Sequence, residues 1–470
     1  MNTMITENEI TFKEIEKKIY EEICALGQEC TTKILEGYDH YLMESRDKTV
    51  YRHKGYKHTT VKTVYGEVEY KRAVYEVLRE DGIKEHVFLL DEQLKIEGVG
   101  LISQNLAEKL VSGITELSYR ECAKKVSETT GQTISAMGVW NVIQGLGDAV
   151  CREEEQLVAD HKAGKIKGET VAKLLFEETD GVYIRYQREK LTKGEIKVGI
   201  AYDGWKKVAN GRYQLDGKVV VAGISTSAEF NKYREAAIAE KYDTDETELR
   251  IMNADGSEWI KNVCDADTLF QLDPFHKNKA IKEKIHNKAA VSAMMDYLAA
   301  HDIDGMFEYL EMYTNSLEDD KDIEDAKELS MYLKNNRQGL IPYQNRGINL
   351  PENGKGLVYR NMGTMENHIW SIIAKRMKHN HSSWSIKGGN HLAKILAKKC
   401  CGRLGEVADK LKCSGFRSDV IEELKEKAMS AATSPSKDGK GYEYAVQGRL
   451  AMLNNKLRGS REIWRKLAGF

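Results

Sequence analysis

Between Phe12 and Met43 the apolar residues Ile15, Ile19, Ile23, Leu26, Cys30 and Ile34 recur at steps of three and four, with charged residues between them. That period puts them on one stripe of a long amphipathic helix. The period then shortens. Thr59–Val64 and Val68–Tyr75 are β-rich runs split by Tyr65-Gly66-Glu67, which predicts a hairpin. From Leu101 to Val150 the spacing is helical again. Ser118 with Glu121 reads as a capping box, Gly131 as a stop, and Ser135 as the cap of a second helix over Ala136–Gln144. Two helices joined in this way suit a helix-turn-helix whose second helix enters a major groove, although any three-helix cluster reads alike. Residues 151–173 are polar and helical, and read as a linker.

The texture changes after Lys173. Thr179–Tyr186, Ile196–Tyr202, Lys218–Ile224, Glu248–Asp255 and Leu269–Asp273 are short β-branched runs. Three strands in succession, followed by strands alternating with helices, predict a mixed sheet flanked by helices. Residues 290–337 are helical and acidic, and residues 365–401 helical and basic.

Charge sharpens this picture. The net charge is −2, so the chain as a whole lacks the basic footprint of a nucleic-acid binder. Its distribution is uneven: Asp302–Glu328 holds eleven acids against two lysines, whereas Lys355–Lys412 holds twelve Lys and Arg against three acids. Arg46–Arg72, around the predicted hairpin, adds eight Lys and Arg, two His and three acids. A hairpin so charged suits phosphate contact, and equally a solvated strand pair. With 470 residues, 41% of them hydrophobic and 31% charged, the chain reads as globular and multi-domain. Four prolines exclude a Pro-rich linker. No apolar run reaches the length of a membrane span, and the N-terminus lacks a basic and apolar leader, which sets the expectation of a cytoplasmic protein. The eight cysteines form no CxxC pair and read as reduced thiols; Cys400, Cys401 and Cys413 fit no closed zinc pattern.

Three carboxylates stand out. Asp180, in Glu177-Glu178-Thr179-Asp180-Gly181, falls at the expected start of the first sheet strand. Asp255, in Asn253-Ala254-Asp255-Gly256, closes the fourth. Glu366, in Gly363-Thr364-Met365-Glu366-Asn367-His368, heads the basic helix. Each Asp-Gly alone more often marks a turn. Two strand-end aspartates meeting one helix glutamate form a hard oxygen donor set for two Mg²⁺ ions about 3.5–4 Å apart, the arrangement that serves phosphoryl transfer.

That order of strands and acids resembles the RNase H-like fold of DDE transposases. Leu272-Asp273-Pro274-Phe275-His276 is similar to the Asp/Cys-x-x-His pair that Mutator-like members carry after their second aspartate. Together with Asn253-Ala-Asp-Gly-Ser-Glu-Trp-Ile, Trp384 and Gly388-Gly389, these motifs resemble the ISLre-type bacterial insertion-sequence transposases over nearly the full length. The resemblance implies an α/β multi-domain protein whose RNase H-like core carries a helical insertion, preceded by helical and helix-turn-helix-like DNA-binding regions. Its expected divisions are 1–97 (helix and basic hairpin), 98–150 (helix-turn-helix-like), 151–173 (linker), 174–289 and 346–412 (core), 290–345 (insertion) and 413–470 (C-terminal helical region). It implies Asp180, Asp255 and Glu366 as catalytic metal ligands for Mg²⁺, with Mn²⁺ as a substitute. It also implies double-stranded DNA partners, both terminal inverted repeats and target, and a homo-oligomer on DNA. Where some DDE families place Lys seven residues after the Glu, this chain has Ile373, with Lys375 and Arg376 the nearest substitutes.

Around this site, Asp273 and His276 are expected to brace the sheet or touch DNA. Lys277, Lys279, Lys375, Arg376, Lys378, Lys387, Lys394, Lys398 and Lys399 are candidates to neutralise phosphates, each with a solvated helix face as its alternative. Trp384 is a candidate to stack on a frayed base, against burial in a core. Arg52, Lys54 and Lys57 on the hairpin, and Arg120, Lys124, Lys125, Trp140 and Asn141 on the helix pair, are the expected DNA contacts. A catalytically silent DNA-binding descendant and a structure-selective nuclease are the competing readings.

Overall fold

The computed structural model describes residues 10–79, 82–94, 102–261, 264, 268–353, 356–379, 381–411 and 416–433; Cys413 lies outside them. The chain divides into two units, residues 147–404 and the remainder on either side.

The first unit opens with helix α1 (Phe12–Ser45), started by a reciprocal capping box between Thr11 and Glu14. It packs on the hairpin of β1 (Arg52–Thr63) and β2 (Gly66–Leu78), which β3 (Lys84–Val87) and the short α2 (Leu89–Leu94) follow. Gly66 takes φ +126° at the hairpin bend, a region closed to most side chains. Leu35 and Tyr38 of α1 bury against Val61, Val68, Tyr70 and Leu90, and the helix Ser418–Thr433 lies along α1. Asp39 is buried in this contact, where its Oδ2 accepts the Ala73 N–H at 2.8 Å. Next come α3 (Gln104–Ile114), α4 (Tyr119–Thr129) and α5 (Ala136–Lys162), whose residues from Gly147 on belong to the second unit. Ser118 and Glu121 form the expected capping box, and Ser135 Oγ accepts the Gly138 N–H. The second helix does not stop at Gln144. It continues to Lys162, so residues 151–162, expected within a linker, complete α5, and Glu154 on them is buried.

The second unit is built on a five-stranded sheet: β4 (Leu174–Arg185), β5 (Lys193–Tyr202), β8 (Val219–Gly223), β9 (Leu249–Ala254) and β10 (Thr268–Leu272). Its spatial order is β10-β9-β4-β5-β8. The first three strands in sequence pair antiparallel, and β9 and β10 then add parallel to β4. A separate hairpin, β6 (Gly204–Ala209) with β7 (Arg212–Asp216), was not expected; Asp203-Gly204 leads into it. It delivers Trp205 into an aromatic cluster with Phe176, Tyr202, Tyr343 and Tyr359. Helix α6 (Ser227–Lys241) covers β8, and α7 (Glu258–Lys261) leads toward β10.

After β10 the chain enters α8 (Pro274–Lys284), α9 (Lys288–Ala299), α10 (Ile303–Asn315) and α11 (Asp320–Asn335). These helices share a core of Ile281, Met294, Leu298, Met306, Leu310, Leu329 and Leu333 with Leu272 of the sheet. Much of their acidic charge has a local task. Asp302 caps α10, Asp319 caps α11, and Lys284 holds Asp325 and Glu328 at 2.6 Å each. The chain closes the unit with α12 (Met365–Ile369), a π-helical turn (Trp370–Ala374), α13 (Lys375–Met377) and α14 (Ile386–Cys400).

Candidate active site

Parallel pairing sets the site's frame. Thr179 lies opposite Ala254, and Ala254 opposite Leu272, across β4, β9 and β10. Asp180, Asp255 and Asp273 therefore each fall one residue further along three adjacent tracks. Asp180 sits in the middle of β4, not at its start as expected, because Leu174–Glu178 also belong to the strand. Asp255 and Asp273 directly follow their strands. Asp180 Oδ1 accepts its neighbour Gly181 N–H at 2.7 Å, and Asp255 Oδ1 accepts Ser257 N–H at 2.9 Å.

The Asp-Pro-Phe-His run acts as a helix start. Asp273 Oδ1 accepts the N–H groups of Phe275 and His276, and Pro274 occupies the first turn, where a missing N–H costs nothing. The turn carries His276 back to Asp180, with Nε2 3.3 Å from Oδ2. This bond to Asp180, with the negative charge of Asp273 and Asp255 nearby, raises the imidazole's pKa. His276 thus lies among three acids that favour its protonated form.

Two residues before Asp180, on the same strand face, lies Glu178, which had drawn no attention as a site residue. It is fully buried. Its Oε2 accepts the backbone N–H groups of Gly363 (3.1 Å), Thr364 (2.9 Å) and Met365 (3.2 Å), and Asn253 Nδ2 (3.2 Å). Its Oε1 accepts the hydroxyls of Thr364 (2.6 Å) and Tyr202 (2.8 Å). Burial, with the charge of Asp273, raises the Glu178 carboxyl's pKa overall, against the Thr364 and Tyr202 bonds that lower it. All six contacts are donors aimed at its two oxygens, an arrangement that favours the ionised form against that cost. Asn253 Nδ2 also reaches Asp273 Oδ2 at 2.6 Å, tying the two carboxylates together. The signal for Glu178 was the two-residue alternation of a strand, masked by an adjacent Glu177. That neighbour points to the other face, where Arg250 Nε holds it at 2.5 Å.

Glu366 lies exposed on α12, one residue after the last N–H that Glu178 holds, and α12 runs directly into the π-helical turn. Among the described residues no three His, Cys, Asp or Glu side chains are gathered into a metal-holding group. The structure brings Asp180, Asp273 and His276 together with Asp255 near the imidazole, and places Glu366 on an exposed position of α12. Asp180 and Asp255 alone are hard oxygen donors of the number Mg²⁺ takes from protein when phosphates complete its shell.

Several expected DNA contacts have internal partners. Lys277 is buried with Nζ 3.3 Å from the Leu340 carbonyl, and burial lowers its pKa. Trp384 is 7% exposed, donates its indole N–H to Met377 O at 2.9 Å and lies under Arg376, so it is a core residue and no base-stacking platform. On α14, Lys387 pairs with Asp148, Lys394 with Glu154 and Lys398 with Glu153, all on α5. Those lysines are spent on a helix pair. Lys279 and Lys375 are exposed, with Lys279 beside Glu283. Cys400 Sγ lies 3.1 Å from Lys218 Nζ and Cys401 Sγ accepts the Val220 N–H.

In the first unit, Arg52, Lys54 and Lys57 line the exposed side of β1, Lys54 beside Glu76. Arg120, Lys124 and Lys125 are exposed on α4, Lys124 beside Glu128. Met137, Trp140 and Asn141 are exposed at the start of α5. Among the described residues no helix is long and apolar enough to cross a membrane.

These features define a multi-domain mixed α/β protein with acidic residues on adjacent parallel strands. Residues 5–410 match the family model described as Uncharacterised protein family (UPF0236), and the chain belongs to that family. Two UPF0236 proteins of Caldanaerobacter subterraneus subsp. tengcongensis are each 24% identical to it over 410 residues, covering 84% of this chain and 80% and 75% of theirs. A UPF0236 protein from the vanSb 3′ region of Streptococcus gallolyticus is 23% identical over 346 residues, covering 71% of this chain and 70% of its own.

Proposed function

We propose that the chain is a DNA transposase of an insertion sequence, with an RNase H-like catalytic core in the second unit and helix-turn-helix-like DNA contacts in the first. The observation that carries this reading is the sheet. Three antiparallel strands followed by two parallel ones, ordered 3-2-1-4-5 from β8 to β10, hold Asp180 and Asp255 on adjacent tracks. The helical run α9–α11 between Asp255 and Glu366 supports the same reading.

On this reading Asp180 and Asp255 hold Mg²⁺, with Mn²⁺ able to replace it, and Glu366 completes the site on DNA. Bound there, Mg²⁺ would supply the Lewis-acid chemistry for attack of water or of a 3′-hydroxyl on phosphorus. The chain's own part is placement. Glu178 and Asp273 each fix a helix start at the acidic centre, and His276 holds Asp180 through its Nε2. No Tyr or Ser nucleophile is required, since the freed 3′-hydroxyl does the joining. The exposed Met137, Trp140 and Asn141 with Arg120, Lys124 and Lys125 form a surface suited to terminal repeats. Two ends must be held at once, so the active species is a homo-oligomer on DNA. The cytoplasm, at the nucleoid, is where such a protein works.

A marked plasmid carrying the gene's own flanking DNA tests the proposal. The marker moves with the wild-type chain and stays with Asp180→Asn or Asp255→Asn. A second reading is a DNA-binding descendant without catalysis. A wild-type chain that binds the ends and never cuts them would establish it. Cutting without joining would indicate a nuclease.

A further inference from the structure

We infer that Glu178 is a positioning residue, a buried carboxylate on the central strand that caps, from outside its own segment, the helix bearing Glu366. The inference rests on the transposase reading for what Glu366 does, and on geometry alone for the clamp.

A helix start leaves N–H groups without partners, and a Ser, Thr, Asp or Asn at the N-cap normally takes one of them. Thr364 occupies that position before α12, yet its side chain makes no capping bond. Its hydroxyl turns to donate to Glu178 instead, and Glu178 takes the N–H groups of Gly363, Thr364 and Met365. Gly363 at φ +112° brings its own N–H into this set, a backbone conformation a side chain would oppose. Glu366 follows one residue after the last clamped N–H.

The clamp is held from behind. Tyr202 of β5 donates to Glu178 at 2.8 Å, and Asn253 of β9 joins Glu178 to Asp273. Gln271 of β10 fixes Asn253 by donating to its Oδ1 at 3.2 Å, and accepts Tyr343 N–H at 2.9 Å. Two helix starts, α8 with His276 and α12 with Glu366, therefore sit on two carboxylates that share one amide. The strand holding α12 is the strand that carries Asp180. A shift of α12 moves Glu366 relative to Asp180, whereas neither Glu178 nor its partners need touch DNA.

The test uses the full-length chain and Glu178→Gln, which keeps the shape but points an NH₂ at backbone donors. Amide hydrogen exchange at Gly363, Thr364 and Met365 is expected to quicken about tenfold or more, the equivalent of one lost charge-assisted bond. Single-turnover cleavage of a DNA end is expected to fall about 100-fold, the cost of an ångström-scale misplacement, with DNA affinity unchanged. Should Glu178→Gln fail to fold, Thr364→Val removes only the hydroxyl bond and decides by the same two readouts, with smaller changes. Unchanged exchange at the three amides, or cleavage that falls only in step with DNA affinity, overturns the inference. Faster exchange in a chain that never cuts DNA supports the clamp and removes the transposase reading. Intact exchange in a variant of a chain that does cut removes the clamp and leaves that reading standing.

Discussion

Lys394 was a candidate phosphate contact with a solvated helix face as the favoured alternative, and the structure gives it another partner. Its Nζ is paired with Glu154 of α5, with side-chain exposures of 13% and 7%, and it lies 4.9 Å from the Tyr233 ring centroid. Lys394→Met keeps most of the aliphatic volume and removes the charge. The residue left behind is a buried carboxylate. Losing one partner of such a pair costs about 3–5 kcal/mol. Glu154 softens the loss, because burial already pushes its carboxyl up and it can take a proton, with Tyr233 still in reach. The low end, about 3 kcal/mol, is therefore expected, which for a unit of this size lowers Tm by roughly 6–12 °C. Thermal unfolding of the full-length chain at neutral pH reads it. The double variant Lys394→Met with Glu154→Leu should recover most of the loss, since an apolar pair replaces a costly ionic one. In parallel, the salt dependence of DNA binding should keep its slope. A Tm within about 2 °C of wild type, with a salt slope reduced by about one unit, would mean that Lys394 serves phosphate after all.

Asp39 predicts a pH dependence. Burial raises its carboxyl pKa more than the Ala73 N–H bond lowers it. The folded chain then binds the proton more tightly than the unfolded chain, so this contribution is favourable at low pH and is lost as pH rises through the carboxyl's raised range. Asp39→Asn, whose amide oxygen still accepts from Ala73, should gain on wild type in Tm as pH rises above the ordinary aspartate range. An equal deficit at every pH would contradict this. For the first unit, Trp140→Ala should weaken binding to terminal-repeat DNA by about tenfold without moving Tm, as loss of one exposed aromatic contact does. Lys124→Ala with Lys125→Ala should lower the salt slope by about two, and an unchanged slope would remove that surface from the interface.

Local periodicity made much of the fold legible. Helix α1 was visible because its apolar steps never leave one stripe, and the Ser118–Glu121 box because both partners lie within four residues. The five sheet strands were found in order, with β4 begun too late. Its first residues include Glu177 and Glu178, and adjacent acids read as a turn unless their partners are known. Those partners are Arg250 and the start of α12, about 70 and 185 residues away in sequence. The same blindness left the lysines of α14 as candidates for phosphate or for a solvated face, and hid their internal partners. Asp148, Glu153 and Glu154, which neutralise its lysines, precede them by about 240 residues. Asp180, Asp255, Asp273 and His276 were nameable from their motifs. That Glu178 and Asn253 bind them into one network depends on strand register, which no local spacing encodes.

The central claim is that Asp180 and Asp255 form a phosphoryl-transfer centre. Its most direct measurement is single-turnover cutting and joining of the element's own DNA end with Mg²⁺, comparing wild type, Asp180→Asn and Asp255→Asn at matched DNA occupancy. The account predicts nicked and joined products from wild type and at least a 1,000-fold loss, on the order of 4 kcal/mol of barrier, in each variant. Equal product from wild type and both variants would contradict it.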